Sequence, residues 1–86
     1  MGMDRGEVFA KVVTIIKPFV RDEAALVGAT DETRVLEDLG VNSARLVDIV
    51  LEFEDTFGIE IDDASADRVH TLGDAADIIL ERAAKA

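Results

Sequence analysis

The chain has no cysteine, which excludes a disulfide framework and a thiolate metal site. It has no long apolar run. The longest strictly apolar stretch is Ala24 to Val27, far short of the roughly 20 residues that a membrane-crossing helix needs. The N-terminus lacks the apolar segment of a secretory signal, so the cytoplasm is the expected compartment. Bases are scarce, with nine Lys and Arg against nineteen Asp and Glu and a formal net charge of −10. Nucleic acid and anionic membrane surfaces both demand a cationic face, so neither is an expected partner. The natural complement is a basic patch on another protein. At 86 residues the chain is too short for a two-domain enzyme, and 1–86 reads as one domain. What it has is 49% hydrophobic and 33% charged residues, enough for a small core instead of a disordered polyelectrolyte. Typical per-residue values give it about 4–13 kcal/mol of stability.

Groups able to do chemistry are equally sparse. His70 is the only histidine; it precedes a capped helix and reads as a structural or surface residue, and no Ser-His-Asp triad can be argued around it. Asp62 and Asp63 suggest paired-carboxylate catalysis or a cation site. Adjacent residues on a helix do not face each other, however, and no EF-hand spacing surrounds them. Helix capping is the better account. No Gly-rich phosphate loop is followed by a lysine. The chain is expected not to be an enzyme and to hold no metal.

Periodicity divides the chain into helices. Val8/Phe9, Val12/Val13, Ile15/Ile16 and Phe19/Val20 form a helical stripe, with Asp4 as N-cap and Glu7 three residues on. Pro18 has no N–H and clashes with the carbonyl of Thr14, so this helix ends or kinks near Ile16–Lys17. Residues 22–42 form a long connection with Gly28, Gly40 and the run Thr30-Asp31-Glu32-Thr33. Loops of this length are usually functional or contain short turns, and Val35, Leu36 and Leu39 should pin it to the core. A second helix starts near Asn42 or Ser43 and stops at Gly58, a left-handed C-cap. Leu46, Ile49, Val50, Phe53 and Phe57 fall on its apolar face; Asp48, Glu52 and Asp55 fall opposite, with Leu51 and Ala44 toward that polar side. Ile59-Glu60-Ile61 alternates but is too short for a strand. Asp62 or Asp63 caps a short helix running to Arg68. Thr71 caps a last helix with Asp74 three residues on, an apolar side of Leu72, Ala75, Ala76, Ile79 and Ala83, and Arg82 and Lys85 suiting its C-terminal dipole. The fold class is all-α: a small bundle of three longer helices and one short one, with a long first loop.

Charge is segregated as well. From Leu46 to Asp67 there are eight acids and no Lys or Arg, which suggests a docking face, with Leu51 as an apolar contact among the carboxylates. At the start of this stretch stands Ser43. Ser is a routine N-cap; a hydroxyl at a helix N-terminus is also an exposed attachment point where backbone N–H groups favour a phosphate.

The wider pattern bears on that choice. Leu39-Gly40-Val41-Asn42-Ser43 is followed by Val47, Val50, Glu54, Phe57, Glu60-Ile61, Asp63 and Thr71-Leu72. This order resembles the acyl carrier protein family, with its Leu-Gly-x-Asp-Ser-Leu start to the second helix, a Leu-Glu-x-x-Phe segment, an Ile followed by acids, and a Thr-Val opening to the last helix. Phe53-Glu54-Asp55-Thr56-Phe57 matches the middle segment with Phe in place of Leu. The likeness runs from about Thr30 to Ile79.

The resemblance implies a four-helix carrier domain that is not itself an enzyme. A phosphopantetheinyl transferase would attach 4′-phosphopantetheine to Ser43, and the arm's thiol would carry an acyl group as a thioester. The carrier would be a monomer serving fatty acid, lipid or polyketide biosynthetic enzymes, and the acidic second helix would dock on their basic patches. Two departures stand beside the serine. Asn42 replaces the family's Asp, and Ala44 replaces its Leu, an apolar partner contact. Arg45 adds a positive charge. They imply a specialised carrier with dedicated partners. An aminoacyl or polyketide carrier is one alternative. Another is an acidic adaptor that is never modified and only binds proteins.

Overall fold

A computed structural model describes residues 4–85, and the side chains of 4–84; residues 1–3 and 86 of the expected domain, and the Lys85 side chain, lie outside the described residues. Asp4 accepts a hydrogen bond from Glu7 N at 2.8 Å and starts α1, Arg5–Ile16. Its buried side chains are Val8, Val12 and Ile16, one per turn. Pro18 acts as expected: α1 stops at Ile16 and the chain tightens into a 3₁₀ turn, Lys17–Phe19.

The long connection is ordered by short local devices. A 3₁₀ turn, Glu23–Leu26, is capped by Asp22. Further on the backbone lies against the start of the last helix: Val35 N donates to His70 O at 2.9 Å, Leu72 N to Thr33 O at 3.0 Å and Gly73 N to Asp31 O at 2.9 Å. Val35 and Leu39 are buried as expected. Leu36 is not: it is 38% exposed, because Val35 and Leu39 are four residues apart and point inward while Leu36 turns out between them.

A 3₁₀ turn, Ser43–Arg45, leads directly into α2, Leu46–Phe57, which Gly58 ends with φ 64°. Ile49, Val50 and Phe53 are buried, and Leu46 and Phe57 half-buried. Ile59 and Ile61 enter the core on either side of exposed Glu60 without forming a strand. Helix α3 is only Asp63–Ala66, capped by Asp62 and ending two residues short of the expected Arg68. Helix α4 is Leu72–Lys85. Its start is a reciprocal cap: Asp74 N donates to Thr71 Oγ1 at 3.0 Å and Thr71 N to Asp74 Oδ2 at 3.1 Å. Leu72, Ala75, Ala76 and Ile79 are buried, Ala83 half-buried, and Ile78 joins them although sequence periodicity left it out. His70 is exposed.

The helices share one core, and α1 packs chiefly on α4. At one edge Arg5 bonds both Asp31 oxygens, Asp77 and the Gly73 carbonyl, joining α1, the long connection and α4. No helix among the described residues is long and apolar enough to cross a membrane.

Candidate functional site

Ser43 opens the 3₁₀ turn before α2, yet it is not the cap. Asn42 has extended backbone (ψ 129°), and its Oδ1 accepts from Ala44 N at 2.9 Å. The neighbouring residue does the capping, so the exposed Ser43 hydroxyl is spared it. The cap thus falls to Asn42 and not to Ser43. Ala44 is exposed as well, and its methyl group offers little surface.

Ser43 is among the residues that line a groove of about 360 Å³ between α2 and α3. Leu46, Val47, Val50 and Leu51 supply one wall; Ile61, Asp63, Ala66 and Asp67 supply the other. Ser43, Val47 and Leu51 are spaced by four residues, so they stack along one side of the helix. Val47 is 65% and Leu51 53% exposed, an apolar ladder leading away from the hydroxyl. Leu51 was singled out from the sequence; Val47 was not given a contact role, although the four-residue spacing signals it. Polar bonds tie the two walls to each other and α3 to α4. Ile61 N donates to Glu54 Oε2 at 2.8 Å, and Arg82 Nη2 donates to Ser65 Oγ at 2.8 Å. Ser65 is a second serine that sequence reasoning passed over. At 2% exposure it is sealed from any modifying enzyme.

The acidic residues do not act as one cluster. Asp48 is half-buried and accepts from Arg45 Nη1 at 3.0 Å. One acid of the base-free stretch is therefore paired from just outside it. Arg45 lies just outside the base-free stretch, but a three-residue spacing on consecutive helical turns brings its guanidinium over Asp48. Glu52 and Asp55 are exposed. Glu52 borders a shallow depression with Thr14, Ile15, Pro18 and Phe19, whereas Leu51 faces the groove. The structure brings together Ser43, Val47 and Leu51, and it sets Glu52 apart from them. Asp62 and Asp63 also separate: Asp62 caps α3, while Asp63 lines the groove. Hydrogen bonds from the Ser65 side chain and backbone, with Arg82 and Arg68 nearby, hold the Asp62 carboxyl below the usual carboxylate range. No group of three or more His, Asp or Glu among the described residues is placed to hold a metal ion.

Comparisons with known proteins bear on the same residues. A family model described as a phosphopantetheine attachment site matches residues 11–79. The chain is 39% identical over 78 residues to the acyl carrier protein of Thermotoga maritima, a match covering 91% of this chain and 94% of that one. Among solved structures it is similar to the acyl carrier protein of Enterococcus faecalis, with a TM-score of 0.75 and 39% identity over 93% of this chain and 99% of that chain.

Proposed function

Since the chain belongs to the acyl carrier protein family, we propose that Ser43 bears its phosphopantetheine arm and that the groove beside Ser43 shelters the acyl cargo. A member of this family is a carrier and not an enzyme, and it holds 4′-phosphopantetheine covalently. It works with a phosphopantetheinyl transferase and with the synthases and modifying enzymes that handle its cargo. That sets aside the adaptor that is never modified. The arm supplies a thiol that holds the acyl group as a thioester, which agrees with a chain that has no cysteine of its own.

One observation carries the assignment: Asn42 caps the turn, leaving an exposed Ser43 hydroxyl on the lining of a largely apolar groove. In the transfer, the Ser43 oxygen forms a phosphodiester with the pantetheine phosphate of coenzyme A. The adenosine bisphosphate half departs, and the hydroxyl proton passes to the transferase. Docking then falls to the exposed side of α2, with Val47 and Leu51 as apolar contacts and Glu52 and Asp55 as charges. Asp48, already paired with Arg45, contributes less than its position suggests. Exposed pairs are worth only about 0.2–1 kcal/mol each, so binding is weak and fast. That suits a monomer handed among several enzymes.

Asn42, Ala44 and Arg45 depart from the family pattern beside the attachment point, and we read the protein as a specialised cytoplasmic carrier for fatty acid, lipid or polyketide synthesis. Incubation with coenzyme A and a broad-specificity transferase should add one phosphopantetheine mass, and Ser43→Ala should abolish it. A modification that persists in Ser43→Ala overturns the assignment. Asn42→Asp combined with Ala44→Leu should speed modification by a general transferase; equal rates would show that the two departures do not tune partner choice.

A further inference from the structure

Helix α3 forms one wall of the groove, but it is four residues long and buries only Ser65. Within α3 the apolar packing is limited to Ala66 against the core, with Ile61 and Val69 anchoring its two ends. Polar bonds add to that packing. Arg82, three turns into α4 and largely buried, donates from Nη2 to Ser65 Oγ at 2.8 Å and to Asp62 Oδ1 at 3.3 Å. Arg68 Nη2 reaches the same Ser65 oxygen at 3.3 Å.

We propose that Arg82 is a positioning residue for the cargo: through Ser65 and Asp62 it holds the α3 wall of the groove and so sets which acyl chains the groove shelters. This rests on the reading of Ser43 and its groove given above. Ser43, Val47 and Leu51 belong to the opposite wall, so the room between the walls depends on where α3 is held. The depressed pKa of Asp62 agrees with a carboxylate that stays charged within the clamp.

The test loads the whole protein at Ser43 from butyryl, octanoyl and palmitoyl coenzyme A. Release of each chain by hydroxylamine is then followed by intact mass, beside the same acyl pantetheine free in solution. Wild type should slow release in a length-dependent way. Arg82→Met keeps the apolar stem and removes the guanidinium. It should speed release of the best-sheltered chain by roughly three- to tenfold, the scale on which one hydrogen bond shifts a closed–open equilibrium, and should flatten the dependence on length. Arg82→Lys, which keeps a donor for Ser65 Oγ, should recover part of the shelter. Asp62→Asn keeps an acceptor for Ser65 N and loses only the charge; it should give the same change on a smaller scale even if Arg82→Met fails to fold. A wild-type length profile in Arg82→Met, or in Asp62→Asn where Arg82→Met does not fold, overturns the inference while leaving the sheltering groove intact. Release from wild type as fast as from free acyl pantetheine at every length overturns the sheltering reading and this inference with it.

Discussion

Along the α1–α4 seam, Val8, Val12 and Ile16 share a sealed core with Leu72, Ala75, Ala76 and Ile79, and Arg5 ties the edge to Asp31 and Asp77. By contrast, α3 buries only one small polar side chain, packs Ala66 partly against the core and takes hydrogen bonds from Arg82 and Arg68. Both regions are ordered, by different means. Buried apolar side chains resist any change of spacing, because each lost contact opens a void. A polar clamp at a half-open groove gives up bonds that water partly replaces, so its net cost of opening is small. The apolar seam thus resists displacement, and the groove wall held by polar bonds is the one able to yield.

The largest expected effect tests the rigid side. Ile79 is fully buried, and Ile79→Ala should cost about 2–5 kcal/mol, a large share of the total for a domain this size. Denaturant unfolding measures it; a loss no larger than that of a surface substitution would break the contrast. Gly73→Ala probes the same seam by addition. An added Cβ would stand 2.8 Å from Asp31 O and 2.9 Å from Asp31 Cβ, so the loop must shift. Overpacking of this kind costs about 1–3 kcal/mol, read as a lowered melting temperature.

On the yielding side the expected changes are smaller. Asn42→Ala removes the cap of the turn before α2 and should cost about 0.5–2 kcal/mol. Ser43→Ala should stay within about 0.5 kcal/mol of wild type while losing all modification. The reverse ranking in paired melts would return the cap to Ser43. Acid should loosen the α3 side through Asp62. Its folded pKa is depressed below an unfolded value of about 3.9, so its stabilisation is complete above that value and is lost as pH falls through the folded pKa. Asp62→Asn should flatten the acid limb of a stability–pH curve, and an unchanged limb would unlink Asp62 from the acid response. The smallest effect concerns docking. Glu52→Lys should weaken a transferase by about 0.2–1 kcal/mol, mostly in the association rate and less so at high salt. Flat salt dependence in both proteins would reduce Glu52 to solvated surface.

These contrasts were unevenly legible in the sequence. Asp4, Pro18, Gly58 and the Thr71–Asp74 pair mark helix ends through interactions spanning three or four residues, and each stands where periodicity put it. Leu36 misled because a hydrophobic residue in a turn looks the same whether its neighbour or itself faces inward. Arg45 was seen as a nearby charge, but its bond to Asp48 was not drawn, because a count of bases within Leu46–Asp67 stops one residue short of it.

By itself the sequence determined the helices, their order, most of their caps and the hydroxyl of Ser43 just ahead of α2, together with the acidic balance of the surface. All of these depend on residues within a turn or two of each other, where helical geometry leaves little choice. Only the tertiary structure decided that Val47 and Leu51 line a groove together with Ser43, and that Arg82 reaches back 17 residues to Ser65. It also decided that Arg5 joins Asp31 and Asp77. Such contacts follow from how preformed helices pack in three dimensions, and no local period in the chain encodes the distance between two helix faces.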